Sequence, residues 1–232
     1  MDLAPPERAT LPLEDLAEAG PSAVAAERLT FFGDAVIAIA ITLLALELPL
    51  PLPHGGTNSE MLHEISRERG EYIAFLISFV VIGAHWSGHH RVFRHVNRIG
   101  GRLAPLTLLW LLMQIITPFA TKVLGGDGAF QFRFILYASV QALAGILFML
   151  MVRQVQTHHL YGPQTPPAMF ANAYIGTGSL ALGFLLSIPV AFFTQYAYDF
   201  WFGVPVLTAV VRRLVVSGRR GRTSPEAPRP AG

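Results

Sequence analysis

Three polar side chains interrupt an apolar run of eighteen residues between positions 31 and 48. They are Asp34, Thr42 and Glu47. A carboxylate at membrane depth is costly and rare, and such groups commonly mark pathways for ions or protons. At about 1.5 Å per residue, a helix of this length nearly spans a hydrocarbon core of about 30 Å. The run therefore predicts a membrane helix that takes part in ion movement.

A second candidate group is a pair of histidines in the stretch HWSGHHRVFRH. His85 and His89 are four residues apart, so they share one helical face at a spacing found among metal and haem ligands. No third ligand is evident in the sequence, and a structural cluster with Trp86 is the simpler interpretation. We expect no metal and no cofactor other than permeant ions. Since the chain also has no Walker loop, no G-x-S-x-G and no H-E-x-x-H motif, the sequence does not indicate an enzyme.

Composition indicates a protein that crosses a membrane several times. Hydrophobic residues make up 52% of the 232 residues and charged residues only 14%, whereas soluble domains are about 25% charged. The formal net charge is +2, which does not suggest a nucleic-acid partner. The absence of cysteine excludes disulfides and thiol catalysis. The expected partner of most of the surface is the lipid bilayer.

Apolar runs predict six transmembrane helices, so the expected fold class is an all-α integral membrane protein. The runs cover about residues 31–48, 72–88, 104–124, 132–152, 171–193 and 198–216. A short surface helix is expected within 54–70. The predicted domains are a disordered N-terminal tail at 1–26, a six-helix transmembrane channel domain at 27–216 and a disordered C-terminal tail at 217–232.

Basic residues predict the orientation in the membrane. With six spans, 13 of the 17 Lys and Arg residues fall on one side and 4 on the other. The side rich in Lys and Arg is cytoplasmic in most membrane proteins. The pattern predicts two cytoplasmic termini in the cell inner membrane or plasma membrane, which agrees with an even number of spans.

The first predicted helix carries an aliphatic stripe. Ile39, Leu43 and Leu46 follow i, i+4, i+7 spacing and share one face, with Thr42 beside them. Such a stripe usually faces lipid or packs against another helix. Several copies around a symmetry axis would instead form hydrophobic rings, which constrict a pore and can gate it by dewetting. Periodicity alone leaves both interpretations open.

The segment RLTFFGDAVIAIAITLLALEL at 28–48 resembles the first-helix signature of the bacterial transmembrane protein 175 family, the relatives of the endosomal/lysosomal potassium channel. Arg28, Phe32 and Asp34 match the family motif R-x-x-x-F-S-D. Gly33 stands where the family has serine, so any hydrogen bond from that hydroxyl is absent.

The second predicted span is similar to the family's W-x-N-H-H-x-x-F pattern. Trp86, His89, His90 and Phe93 match it, and Gly88 replaces the asparagine. The resemblance is specific over about residues 28–48 and 72–94. It implies that Arg28, Phe32 and Asp34 form a polar network with Trp86 and with either His89 or His90. This network would brace the first helix.

The resemblance further implies a homotetramer in which the first helices surround a central pore for K⁺ and related monovalent cations. Ile39 would form the constriction and hydrophobic gate, Leu43 and Leu46 further rings, and Thr42 the polar pore position. Glu47 would lie at the outer mouth, where it attracts cations or reaches the lipid headgroups. The alternative function is a proton-coupled carrier or proton leak through Asp34 and the histidines of the second span.

Overall fold

The computed structural model describes residues 21–50 and 56–222, with side chains described as far as Leu214. In these ranges the chain is helical throughout, apart from connecting turns and one isolated antiparallel bridge between Val96 and Tyr161. The helices are α1 (Pro21–Leu46), α2 (Asn58–Arg67), α3 (Arg69–Phe93), α4 (Leu103–Gly125), α5 (Phe130–Thr157), α6 (Ala168–Val190) and α7 (Asp199–Arg222), with a short 3-10 helix at Gln195–Tyr198. The all-α prediction is confirmed.

The predicted tails overlap with helices at their inner ends. Residues 21–26, which were assigned to the N-terminal tail, form the beginning of α1, and residues 217–222 form the end of α7. The rest of both predicted tails, 1–20 and 223–232, lies outside the described residues.

Five described helices are long and apolar enough to cross a membrane: α1, α3, α4, α5 and α6. They coincide with the first five predicted spans, and their ends agree to within about five residues except that α1 begins at Pro21, well before the predicted position 31. The sixth predicted span, 198–216, coincides with α7, whose side chains are described only to Leu214. The chain is thus a multi-pass membrane protein with five span candidates, and the sixth span stays a prediction.

Local sequence explains where α1 and α2 end and begin. Pro49 follows α1 closely, and a residue that precedes proline is disfavoured in helical geometry, so the helix ends at Leu46. Thr57 forms a capping box for α2, because its Oγ1 accepts from the Glu60 amide and its own amide donates to Glu60 Oε2 at 3.2 Å. None of the residues of α2 is buried, so α2 lies on the surface, within the predicted range 54–70.

Two buried clusters hold the spans together. One lies around Trp110 and Phe148, on α4 and α5, and includes the inner face of α1. The other joins α5, α6 and α7 around Trp201, whose ring centroid lies 4.8 Å from that of Phe134 and 5.0 Å from that of Phe184. Large buried aromatic side chains contribute much of the packing energy in such a core. The second cluster anchors the beginning of α7 to the bundle.

The loops between α3 and α4 and between α5 and α6 meet at one end of the bundle, which we call the basic end and define by Arg91, Arg94, Arg98 and Arg102. There Arg98 donates to the carbonyl of His159 at 3.1 Å, and Asn97 N donates to the carbonyl of Leu160 at 2.9 Å. The helices therefore alternate in direction, and the four arginines of the α3–α4 connection lie at the end where α5 meets α6.

Candidate functional site

Helix α1 has one buried face and one exposed face. The buried face carries small and aliphatic residues at helical spacing: Ala26, Gly33, Ile37, Ala40 and Leu44. This spacing places them along one side of the helix, where they pack into the core that contains Trp110.

The stripe predicted to line the pore lies on the other face. Ile39, Leu43 and Leu46 are 59%, 44% and 79% exposed. Thr42 is exposed as well, and its hydroxyl donates to the carbonyl of Ile39 at 2.8 Å, within its own helix. Within the described chain, these four side chains therefore remain available to lipid, to a pore or to another subunit.

Gly33 brings α1 close to α3. A Cβ atom at this position would lie 3.3 Å from His89 Cε1 and 3.6 Å from His89 Nε2. Contacts between 3.0 and 3.4 Å are tighter than ordinary packing, so the missing side chain lets the two helices approach. Gly33, which replaces the serine of the first-helix motif, thus lies against His89 of the second-span motif.

Asp34 is bonded to a tryptophan of α3. Trp86 Nε1 donates to Asp34 Oδ1 at 3.0 Å, and the Trp86 ring stacks on His90 with centroids 5.6 Å apart. Phe32 is half exposed, and Arg28 forms no hydrogen bond or ion pair with any residue that the structure describes. Of the six residues predicted for the network, the structure therefore joins Asp34, Trp86 and His90 most directly.

His89 points into the core and is enclosed by aromatic rings. Its ring centroid lies 4.0 Å from that of Phe93 and 4.8 Å from that of Trp110, with the latter pair nearly parallel at 7°. Neither ring nitrogen of His89 has a hydrogen-bond partner, and the same holds for the buried His85. Among the described residues, no group of three or more His, Asp or Glu side chains is placed to hold a metal ion.

The C-terminal end of α1 is also bonded to neighbouring helices. Glu47 accepts from Lys122 Nζ of α4 at 2.5 Å, and both side chains are exposed. The Tyr72 hydroxyl of α3 donates to the carbonyl of Pro49 at 2.9 Å. Helix α1 is therefore held to α3 near its middle and, with α4, at its C-terminal end, while the side chains of the stripe with Ile39 stay exposed.

A buried chain of hydroxyl groups was missed by the sequence analysis. Thr121 Oγ1 donates to Ser78 Oγ at 2.7 Å, and Ser78 Oγ donates to the Tyr137 hydroxyl at 3.0 Å. These contacts link α3, α4 and α5 in the core. The signal was present, because polar residues recur at helical spacing in the third predicted span, at Thr107, Gln114, Thr117 and Thr121. Polar side chains of this kind join membrane helices by hydrogen bonds.

Comparisons of the sequence with known proteins point to a family of channels. The sequence model of a family described as "Endosomal/lysosomal potassium channel TMEM175" matches residues 28–118. A potassium channel from Streptomyces collinus is 33% identical over 172 residues, which cover 71% of this chain and 82% of that protein. A potassium channel from Chryseobacterium sp. is 32% identical over 54 residues, 23% of this chain and 28% of that protein.

The fold is similar to that of a solved channel. A crystal structure of a lysosomal potassium-selective channel TMEM175 homolog from Chamaesiphon minutus superposes with a TM-score of 0.65 at 24% sequence identity. The match covers 81% of this chain and 97% of that chain. At this identity the match shows a similar fold, and it includes nearly all of the solved chain.

Proposed function

Because this chain belongs to the TMEM175 potassium channel family, we propose that it is a potassium channel in which α1 of four identical subunits lines a central pore. The family is one of channels and not of enzymes. Conduction is passive, and the constriction is a hydrophobic ring formed by Ile39.

The observation that carries this proposal is the exposed face of α1. Ile39, Leu43 and Leu46 lie there exposed, while the opposite face is buried against the rest of the bundle. An exposed apolar stripe on the helix that carries the family motif is suited to face an axis shared by several subunits. Rings of aliphatic side chains at such an axis narrow a pore and gate it by dewetting.

The contacts of α1 support a fixed pore helix. The Trp86–Asp34 bond holds it near its middle, and the Lys122–Glu47 pair holds it at its C-terminal end. In a tetramer, Glu47 would then lie at the outer mouth, and Thr42 would present a hydroxyl next to the constriction. Because Lys122 pairs with each Glu47, such a ring would attract cations only where that ion pair opens.

The proposed orientation has the basic end in the cytoplasm. Its four defining arginines lie at the end of α3 and in the connection to α4, and Lys and Arg are enriched in cytoplasmic loops. Both termini would then be cytoplasmic and the membrane would be the cell inner membrane or plasma membrane. Accessibility of a cysteine introduced at Arg98 to a membrane-impermeant thiol reagent tests this in a chain without native cysteines. Labelling from the outside of intact cells would reverse the orientation.

Ion flux into vesicles tests the pore. Purified protein is reconstituted with K⁺ inside and either Na⁺ or K⁺ outside, and wild type is compared with Ile39→Asn. The amide wets and widens the ring, so we expect the K⁺ to Na⁺ flux ratio to fall toward one. The matched control is Ile115→Asn on α4, where the replaced isoleucine is 52% exposed but lies on another helix. An unchanged ratio in Ile39→Asn, or an equal change in both variants, would remove Ile39 from the constriction.

The same assay separates a channel from a proton-coupled carrier. A channel conducts along the K⁺ gradient with equal pH on both sides, whereas a carrier that uses Asp34 and the histidines of α3 needs a proton gradient. The number of subunits is tested separately by native mass spectrometry of the purified assembly. A mass other than four chains would exclude the proposed tetrameric pore.

A further inference from the structure

A cavity of about 420 Å³ lies between α3, α6 and α7 at the basic end. It is distinct from the exposed face of α1. Its lining lies within the described residues and includes the side chains of Arg91, Arg94 and Arg212, but no Asp or Glu. None of these arginines forms an ion pair with a described carboxylate. Three guanidinium groups thus border one cavity with no negative charge on its wall.

The cavity is polar at one end and apolar along its length. Beside the arginines lie Ser87 and Asn172, which offer further hydrogen bonds, and toward the middle of α6 the wall consists mainly of small or apolar residues as far as Leu180. From Ala168 to Leu180 the wall follows α6 for about 18 Å at 1.5 Å per residue. The shape and lining are those of a site for an elongated molecule with an anionic head.

The charge of the cavity comes from the arginines alone. Partial burial, and after it the charge of the neighbouring Arg94, lowers the pKa of His95 below its usual range. Arg94 Nε donates to His95 Nε2 at 3.3 Å, which requires that nitrogen to be unprotonated. The three arginines therefore supply positive charge that does not vary with pH, and His95 beside them is neutral at neutral pH.

We propose that this cavity binds a phosphate group, carried by an anionic phospholipid whose acyl chain follows α6. Guanidinium groups recognise phosphate through charge-assisted, frequently bidentate hydrogen bonds. Basic pockets between membrane helices on the cytoplasmic side accommodate such headgroups. The apolar wall of α6 explains why the source is a lipid, and the same three arginines would also hold a phosphate that comes from solution.

Binding to the purified full-length protein in detergent tests the site. The probes are short-chain phosphatidylglycerol, inorganic phosphate, and phosphatidylcholine of equal chain length as the zwitterionic control. We expect phosphatidylglycerol to bind more tightly than phosphatidylcholine, and Arg91→Gln and Arg212→Gln each to weaken it about tenfold, the size of one charged hydrogen bond. The matched control is Arg102→Gln, which removes the same charge from the basic end outside the cavity lining.

A steric variant keeps all the charges. A Cβ atom at Gly176, in the cavity wall, would meet no atom within 4 Å, so Gly176→Leu adds bulk at the wall without removing a charge. It should weaken phosphatidylglycerol binding while the arginines remain. Inorganic phosphate that binds with the same dependence on Arg91 and Arg212, and is unaffected by phosphatidylglycerol, would keep the phosphate site and overturn the lipid as its source. Binding that Arg102→Gln weakens as much as Arg91→Gln, or that no cavity variant changes, would overturn the site.

Discussion

Replacing Gly33 by serine should give His89 a hydrogen-bond partner. The Cβ atom of any residue at this position would lie 3.6 Å from His89 Nε2. A hydroxyl oxygen one bond further comes within reach of that nitrogen, which is buried and unpaired. A serine hydroxyl can donate or accept, so it fits either tautomer of the ring.

The magnitude follows from comparing Gly33→Ser with Gly33→Ala. Both variants add the Cβ atom 3.3 Å from His89 Cε1, and the Phe93 and Trp110 rings limit how far His89 can move away. That cost is therefore shared and cancels in the comparison. Serine gains a net hydrogen bond and removes the penalty of an unpaired buried nitrogen, which together outweigh its slightly lower helix propensity. We expect Gly33→Ser to be more stable than Gly33→Ala by about 1 kcal/mol.

Thermal unfolding of the purified protein measures this difference. Trp110 lies against His89, so intrinsic tryptophan fluorescence reports on the region that changes. For a chain of this size, about 1 kcal/mol corresponds to a melting temperature higher by about 2–4 °C in the serine variant.

A second pair of variants identifies the partner of the new hydroxyl. In a His89→Phe background the ring stack is kept, but the nitrogen is lost, and the advantage of serine over alanine should disappear. If the advantage persists, the hydroxyl bonds to a carbonyl of its own helix instead. Equal melting temperatures of Gly33→Ser and Gly33→Ala in the wild-type background would refute the reasoning at its first step.

Two further predictions concern the packing of the bundle. Trp86→Phe removes the donor to Asp34 and should lower the free energy of unfolding by about 1 kcal/mol. Adding Asp34→Asn to this variant should cause little further loss. Additive losses in denaturant unfolding would show that the two side chains are not coupled. Gly145→Ala places a Cβ atom 2.7 Å from Ala181 Cβ and should destabilise the protein by about 1–3 kcal/mol. The control Gly83→Ala adds a Cβ atom that meets no atom within 4 Å, so it should unfold at the wild-type temperature or slightly above it. Equal melting temperatures of the two variants would contradict the close approach of α5 and α6.

Hydropathy predicts the helices well because a membrane span must satisfy its backbone hydrogen bonds internally over a fixed thickness. The first five spans were found, although α1 begins well before the predicted position 31, and the surface helix α2 lies within 54–70 as expected. Both predicted tails overlap with helices at their inner ends, because a helix can continue beyond the apolar run that marks its membrane span. The sixth span is harder to judge because Arg212 and Arg213 interrupt it.

Side-chain pairing was less accessible to sequence reasoning. A histidine was expected beside Asp34, and the hydrogen bond comes from Trp86. Both residues lie on α3 about one turn from each other, so the rotation of α3 about its axis decides which of them reaches the Asp34 carboxylate. That rotation follows from packing against α4 and α5, where His89 fits between Phe93 and Trp110. No periodicity within a single helix contains this information.

The three connections between α1 and its neighbours restrict how the molecule can move. Asp34 is joined to α3, Glu47 is joined to α4, and the carbonyl of Pro49 is joined to Tyr72 of α3. While these bonds persist, α1 cannot tilt or slide alone, and any displacement of its exposed face carries α3 and α4 with it.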